Sequence, residues 1–378
     1  MIDSERRIGG LFLKKYLLGM VMLVLLATAC KAKEKEQVIE DAEQLNKITA
    51  MEVITGNLKA PWAIEKWGDI FYLTERVGTI VQVQDGEKKR QEVQLEYPLS
   101  TASEAGLLGF VLAPDFSSSN EAFAYYTYEK GDEQFNRVVL LQLDNGVWYE
   151  QDMLIDGIPS GTYHHGGRLK IGPDNKLYVT AGDASNPQLA QNKESLAGKI
   201  LRMNLDGSIP EDNPFNQSYV YSYGHRNPQG LAWSTEGVMY ATEHGQSAND
   251  EVNEIIAGAN YGWPVIEGTE KQDEMIAPLF TSGKERTWAP SGMAYHQEVL
   301  YVAALRGTAL LAFDLQTDEI REVVNDVGRI RDVWLDDGSL HFITNNTDGR
   351  GQANVTDDRL FKMELSKIKT TNEESEQN

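Results

Sequence analysis

Short apolar strands broken by Gly/Asp/Asn turns, a loose repeat of six units, and no long segment with a helical period predict an all-β fold, a six-bladed β-propeller, for this chain of 378 residues. Each unit reads as an apolar strand, a turn, a second strand ending near Tyr or Phe, and a third in apolar-polar alternation. The turns include Pro173-Asp174-Asn175, Thr235-Glu236-Gly237 and Asp336-Asp337-Gly338. The strands after them are Leu177-Tyr178-Val179, Val238-Met239-Tyr240 and Leu340-His341-Phe342. Closing strands include 139–143, 200–205 and 310–315. Unit starts fall near Pro61, Gly106, Gly166, Pro228, Pro290 and Ile330, a spacing of roughly 40 to 60 residues, the size of a propeller blade. A four-stranded blade leaves its faces apolar, and radial stacking around a channel buries them. A β-sandwich pair is the competing fold, but it does not predict six similar units.

The two ends of the chain read differently. Arg6, Arg7, Lys14 and Lys15 make a basic stretch ahead of an apolar run from Tyr16 to Ala29. That run is short for a membrane span and right for the core of a signal peptide. It ends in Leu-Leu-Ala-Thr-Ala-Cys, and small residues directly before Cys30 resemble the lipobox of bacterial lipoproteins. The expected order is therefore a lipoprotein signal peptide over 1–29, a lipid-anchored tether over 30–50, the propeller over 51–365 and a disordered tail over 366–378. The chain is then exported and held by diacylglycerol on Cys30, at the outer face of the bacterial cytoplasmic membrane or in the periplasm. An uncleaved anchor, or a buried free thiol at Cys30, is the alternative.

Composition excludes several classes of function. A formal charge of −22 with no basic stripe argues against a nucleic-acid partner. A single cysteine excludes an intramolecular disulfide. No Gly-rich phosphate loop, nucleophile elbow or zinc-type spacing appears.

Four segments concentrate polar chemistry where a propeller places it, on the loops at the channel mouth. The first, Tyr163-His164-His165-Gly166-Gly167-Arg168, puts a histidine suited to proton exchange beside two glycines that admit close backbone approach. The second, Gly224-His225-Arg226-Asn227-Pro228-Gln229-Gly230, offers Arg and Asn to a carboxylate or quinone oxygen. The third is Glu243-His244-Gly245-Gln246-Ser247-Ala248-Asn249-Asp250-Glu251, followed by Asn260-Tyr261-Gly262-Trp263-Pro264. Its carboxylates, amides and turn carbonyls form a hard-cation set that fits Ca²⁺ without EF-hand spacing. In the fourth, Gly328-Arg329-Ile330-Arg331-Asp332, period-two spacing puts two guanidiniums on one face of a strand, and Arg306 adds a third cation. Three converging arginines imply a polyanionic small ligand. Taken singly, each segment reads as well as a structural histidine pair, a turn network, a solvated loop or separate salt bridges.

Together these strings resemble the soluble PQQ-dependent glucose dehydrogenase and aldose sugar dehydrogenase family over residues 52–364. Gly106-Leu107-Leu108-Gly109-Phe110, Pro114-Asp115-Phe116 and Asp250-Glu251-Val252-Asn253 add to the match. The resemblance implies PQQ and Ca²⁺ as cofactors and His164 as the general base that takes the anomeric hydroxyl proton of an aldose. It implies cofactor contacts from Glu104, Asp183, Gln188, Arg226, Asn227, Arg306, Arg329 and Arg331. Backbone oxygens of Gly245 and Gln246 match the ligands of one Ca²⁺. Glu251 and the Tyr261 carbonyl match those of a second. Two positions depart from the family: Glu104 stands where Gln is usual, and Arg306 where Lys is usual. A carboxylate at 104 would repel an anionic cofactor unless protonated or metal-bound. The leading expectation is a sugar dehydrogenase that passes electrons to an external acceptor. A non-catalytic calcium-binding propeller that binds a sugar or protein partner at the cell surface is the alternative, and a Ca²⁺-dependent lactone hydrolase a third reading.

Overall fold

The computed structural model describes residues 51–336 and 338–368. The expected signal peptide, Cys30, the tether and residues 369–378 of the tail lie outside them. The described chain is all-β, with strands β1 (Met51–Thr55), β2 (Pro61–Trp67), β3 (Ile70–Glu75), β4 (Thr79–Gln84) and β5 (Glu87–Gln94) opening it. There follow β6 (Leu107–Leu112), β7 (Glu121–Lys130), β8 (Glu133–Asp144) and β9 (Val147–Pro159), then β10 (Leu169–Ile171), β11 (Leu177–Ala181), β12 (Lys199–Met203) and β13 (Val220–Tyr223). Next come β14 (Pro228–Trp233), β15 (Met239–Glu243), β16 (Glu251–Ile255) and β17 (Phe280–Thr281). The last strands are β18 (Pro290–His296), β19 (Val299–Ala304), β20 (Ala309–Asp314), β21 (Ile320–Val324), β22 (Ile330–Asp336), β23 (Ser339–Thr344) and β24 (Leu360–Glu364). Two single-turn helices, α1 (Phe116–Ser119) and α2 (Gln188–Gln191), sit in connections.

The strands pair as antiparallel four-stranded meanders in sequence order. The sheet β2–β5 is joined to β6–β9 by a parallel pairing of the two outer strands, β5 and β9. The last sheet is completed out of order, because β1 from the start of the chain pairs beside β24. The first strands β2, β6, β10, β14, β18 and β22 touch one another in that order, and β22 touches β2. The result is a propeller-like ring with those strands innermost.

Packing explains why a sequence of alternating short strands adopts this form. The apolar clusters lie between successive meanders, and the largest runs through the first three. Tyr178 and Ile200 of one meander pack with Leu231, Met239 and Ala241 of the next. Ala232, Tyr240 and Val252 pack with Met293, Leu300 and Val302. Ile64, Leu73 and Val81 meet Ile343 and Leu360, so the first and last sheets bury each other's faces. Threonines near the ends of second strands stitch neighbours together: Thr74 Oγ1 donates to the Leu108 carbonyl at 2.7 Å, and Thr242 Oγ1 to the Ser291 carbonyl at 2.7 Å. At the C-terminal end, Leu365–Lys367 forms a 3₁₀ turn and Ile368 is buried. No helix among the described residues is long and apolar enough to cross a membrane.

Candidate active site

In an antiparallel meander the start of the first strand and the end of the second lie at the same edge. Pro61 pairs with Glu75, Pro228 with Glu243, Pro290 with Ala304, and Ile330 with Thr344. The loops preceding first strands and those following second strands therefore gather at one end of the ring. His164, Asp183, Arg226, Asn227, His244, Gly245, Arg329 and Arg331 all sit on such loops or strand starts.

A recurring irregularity aims side chains at the axis. Register shifts interrupt the first strands between Pro61 and Ile64, Leu107 and Phe110, Pro228 and Gly230, and Ile330 and Asp332. A bulge leaves residues unpaired and turns them out of the alternation. The residues inside those gaps include Trp62, Leu108, Gln229 and Arg331. These four line a pocket of about 320 Å³, partly open to solvent, together with Arg76, Glu104, His165, Gly166, His244, Leu305 and Arg350.

His164 stands next to this pocket. Its Nδ1 lies 2.7 Å from Asp183 Oδ1. Asp183 is fully buried and also accepts from Ser185 N at 2.8 Å and Trp263 Nε1 at 2.9 Å. A carboxylate fixed by two other donors holds the imidazole with its Nδ1 proton inward, which leaves Nε2 as the acceptor. The His164 backbone is in the left-handed region at φ 66°, held by its N–H to Glu104 Oε2 at 3.2 Å. Such strain in a residue other than glycine persists where the surroundings over-determine it. Gly182 is required here, since a Cβ there would lie 1.9 Å from the His164 carbonyl.

The arginines fall into two groups. Arg331 is buried, bonds Gln229 Oε1 at 2.8 Å and Asn345 Oδ1 at 3.2 Å, and lies 4.0 Å from Asp348. Burial lowers its pKa to about 9, Arg329 and Arg76 push the same way, and Asp348 opposes them. Arg329 pairs with Asp348 at 2.9 Å. Arg226 stacks its guanidinium over Trp263 at 5.4 Å. Arg306 is exposed and lines no part of the pocket, so the structure brings two of the three expected arginines, Arg329 and Arg331, onto one carboxylate and leaves the third apart. Gln188, at the start of α2, is also exposed.

Several buried donors lack partners: Nε of Arg226 and Arg331, the Asn227 Nδ2 and Nη2 of Arg168. Buried donors without acceptors are rare unless a bound group or water supplies them. Asn227 uses its Oδ1 on Gly166 N at 3.0 Å, which leaves its amide N–H groups free. His244 Nε2 is likewise buried without a partner, and burial pulls this imidazole down to about 4 against the pull of Asp250 and Glu104.

The neighbours of Glu104 favour its charged form. Burial alone would raise its carboxyl, but the hydrogen bond and charge of Arg350 outweigh burial and bring it to about 2. Arg350 Nη1 donates to Glu104 Oε1 at 2.6 Å. Arg350, Arg76 and Trp62 carry no signal in the motifs; only long-range folding brings them to the pocket.

A second pocket, about 260 Å³, is lined by Arg226, Glu243, His244, Gly245, Asn249, Glu251, Tyr261, Trp263 and Glu267 among others. Asp250 fixes its wall: Oδ1 accepts from Gly245 N at 2.9 Å, while Oδ2 accepts from Trp288 N at 2.6 Å and Ala289 N at 2.9 Å. Burial raises the Glu251 carboxyl to about 8, with Glu243 adding to it. A buried carboxyl beside a second carboxylate suits a cation, whose charge would take the place of the proton. Among the described residues no cluster of three or more His, Cys, Asp or Glu is arranged to hold a metal, so any ion here would draw on backbone oxygens as well.

The family model for glucose/sorbosone dehydrogenase matches residues 58–355. The aldose sugar dehydrogenase of Escherichia coli is 30% identical over 346 residues, covering 79% of this chain and 91% of that protein. Quinoprotein glucose dehydrogenase B of Acinetobacter calcoaceticus is 36% identical over 251 residues, 57% of this chain and 52% of that one. The structure of the PQQ-bound form of aldose sugar dehydrogenase from Streptomyces coelicolor superimposes with a TM-score of 0.77 at 35% identity, covering 83% of this chain and 97% of that one. With its motifs, axial pocket and matched length taken together, the chain belongs to the glucose/sorbosone dehydrogenase family.

Proposed function

We propose that this protein is a PQQ- and Ca²⁺-dependent sugar dehydrogenase, built on a six-bladed propeller, that oxidises the anomeric carbon of aldoses. The observation that carries the reading is the His164–Asp183 pair at 2.7 Å beside a pocket lined by Arg331, with unpartnered buried nitrogens on Arg331 and on the neighbouring loop residues Arg226 and Asn227. PQQ is a tricarboxylate ortho-quinone that, when bound, supplies the redox chemistry by accepting hydride from the sugar. Arg226, Asn227, Arg329 and Arg331 would hold it, because their N–H groups match carboxylate and quinone oxygens. Gln188 and Arg306, both exposed, would serve only at the rim.

With its Nδ1 proton donated to Asp183, His164 takes the anomeric hydroxyl proton at Nε2. The buried Asp183 carboxylate stabilises the imidazolium that results. Backbone oxygens of Gly245 and Gln246 would hold one Ca²⁺, which would supply positive charge to the site, and Glu251 with the Tyr261 carbonyl would hold a second. We also read the chain as exported and anchored through Cys30, where an external acceptor would reoxidise the cofactor.

The test is reconstitution. The full chain with PQQ and Ca²⁺ should reduce a dye when aldoses are added, and His164→Ala should abolish this. Failure across a panel of sugars, with no PQQ absorbance retained, overturns the proposal. Sugar or Ca²⁺ binding without PQQ would point to the non-catalytic reading.

A further inference from the structure

Resting on that reading, we propose that Arg350 is a positioning residue of the active site, which neutralises Glu104 so that an anionic cofactor can enter and ties the His164 loop to the far side of the mouth. Glu104 lies between β5 and β6, and Arg350 between β23 and β24, 246 residues later. Arg350 spans them with Nη1 on Glu104 Oε1 at 2.6 Å and Nη2 on Ser103 Oγ at 2.9 Å. The other carboxylate oxygen of Glu104 accepts the His164 backbone N–H at 3.2 Å. The guanidinium also sits 5.8 Å from the Tyr163 ring. One carboxylate thus links three loops, and the two residues it joins, Glu104 and His164, both hold left-handed backbone at φ 65° and 66°.

The charge balance supplies the functional part. The pocket carries Arg76 and Arg331 as well as the Glu104–Arg350 pair. With Glu104 paired, the pocket is left with net positive charge for a polyanion. With Glu104 alone, its carboxylate cancels one of those cations and repels the ligand directly. The Arg350 side chain is 42% exposed and that of Glu104 20% exposed. Exposure of the arginine screens part of what the pair contributes to folding. Its placement between the catalytic loop and the pocket gives it a role in binding.

The test measures PQQ binding by equilibrium dialysis in Ca²⁺ for the wild type, R350A, R350K, E104Q and the double variant E104Q/R350A. R350A should weaken binding about tenfold, the scale of one unscreened charge at close range. E104Q should bind at least as well as the wild type, and the double variant should regain most of the loss. The deficit of R350A should also shrink as salt rises. R350A binding like the wild type, or a double variant as weak as R350A, overturns the proposal. A purely structural role would leave the double variant no better than the single one.

If the wild type binds no PQQ, the functional reading fails, and a ligand-free measurement decides the clasp. Carbethoxylation of His164 by diethyl pyrocarbonate, read by peptide mass spectrometry, should run several-fold faster in R350A and return toward the wild-type rate in R350K. Equal rates in all three overturn the proposal.

Discussion

Replacing Asp183 by Asn tests whether His164 works as a held base. The carboxylate accepts three hydrogen bonds: Oδ1 from His164 Nδ1 at 2.7 Å and Ser185 N at 2.8 Å, and Oδ2 from Trp263 Nε1 at 2.9 Å. An amide has one oxygen for these two sides. With its NH₂ toward His164, Nδ1 must become the acceptor, Nε2 carries the proton, and the base is lost. General-base catalysis typically contributes about 10²–10⁴, or ~3–5 kcal/mol at 1.36 kcal/mol per decade. With its NH₂ toward Trp263, the imidazole keeps its tautomer, but the charged partner of the imidazolium becomes neutral. Charge-assisted bonds exceed neutral ones by ~1–1.5 kcal/mol, about tenfold in rate. Either orientation sets the buried NH₂ against an N–H donor, Ser185 N on one side or Trp263 Nε1 on the other. D183N should therefore lose between about 10-fold and 10⁴-fold in kcat, the upper end reporting the flipped tautomer. The assay is dye reduction by PQQ-loaded protein, with PQQ affinity measured separately on the same sample. A kcat within twofold of the wild type at full loading would refute the assignment.

Three further outcomes follow from the same geometry. Asp332 Oδ2 accepts from Arg168 Nη1 at 2.7 Å and from Ile64 N at 2.9 Å, joining β22 to β2 and to the residue just ahead of β10. D332A strands a buried guanidinium and should lower stability by ~3–5 kcal/mol in urea unfolding, whereas an unchanged midpoint would contradict the buried pair. Glu104 is held at about 2, below its unfolded value of 4.5, so its stabilisation is full above 4.5 and fades as pH falls toward 2. The difference in unfolding free energy between wild type and E104Q should narrow over that window, and a constant difference would speak against the Arg350 contact. Ca²⁺ at 100 times its Kd should add ~2.7 kcal/mol to the folded state, seen as a rise in Tm that E251Q reduces; equal rises in both would remove Glu251 from the ligands.

The strand pattern was legible because burial on both faces of a sheet imposes it locally. The unit starts near Pro61, Pro228, Pro290 and Ile330 coincide with the first residues of β2, β14, β18 and β22, and Gly106 and Gly166 lie just ahead of β6 and β10. His164 and Arg331 stood out because glycine-rich or alternating surroundings mark where a loop meets the axis, whereas Asp183 was pointed to only by the family resemblance. Arg306 lies on the loop after β19, at the same end of the ring, with its side chain exposed. The bulges that turn Trp62 and Gln229 inward leave no mark in local composition. Arg350 escaped for a different reason. Its partner lies 246 residues away, and a pairing across that distance exists only once the ring closes. Glu104, read alone, opposed an anionic ligand; read with Arg350, it does not.

The most direct test is a single turnover. The full chain would be loaded with one equivalent of PQQ in Ca²⁺ without oxygen, then mixed with excess aldose while the cofactor's absorbance is followed. Complete reduction in the wild type, with PQQ retained but still oxidised in His164→Ala, is the predicted result. Oxidised, retained PQQ in the wild type after every aldose tried would contradict the assignment of the pocket as the place where sugar meets quinone.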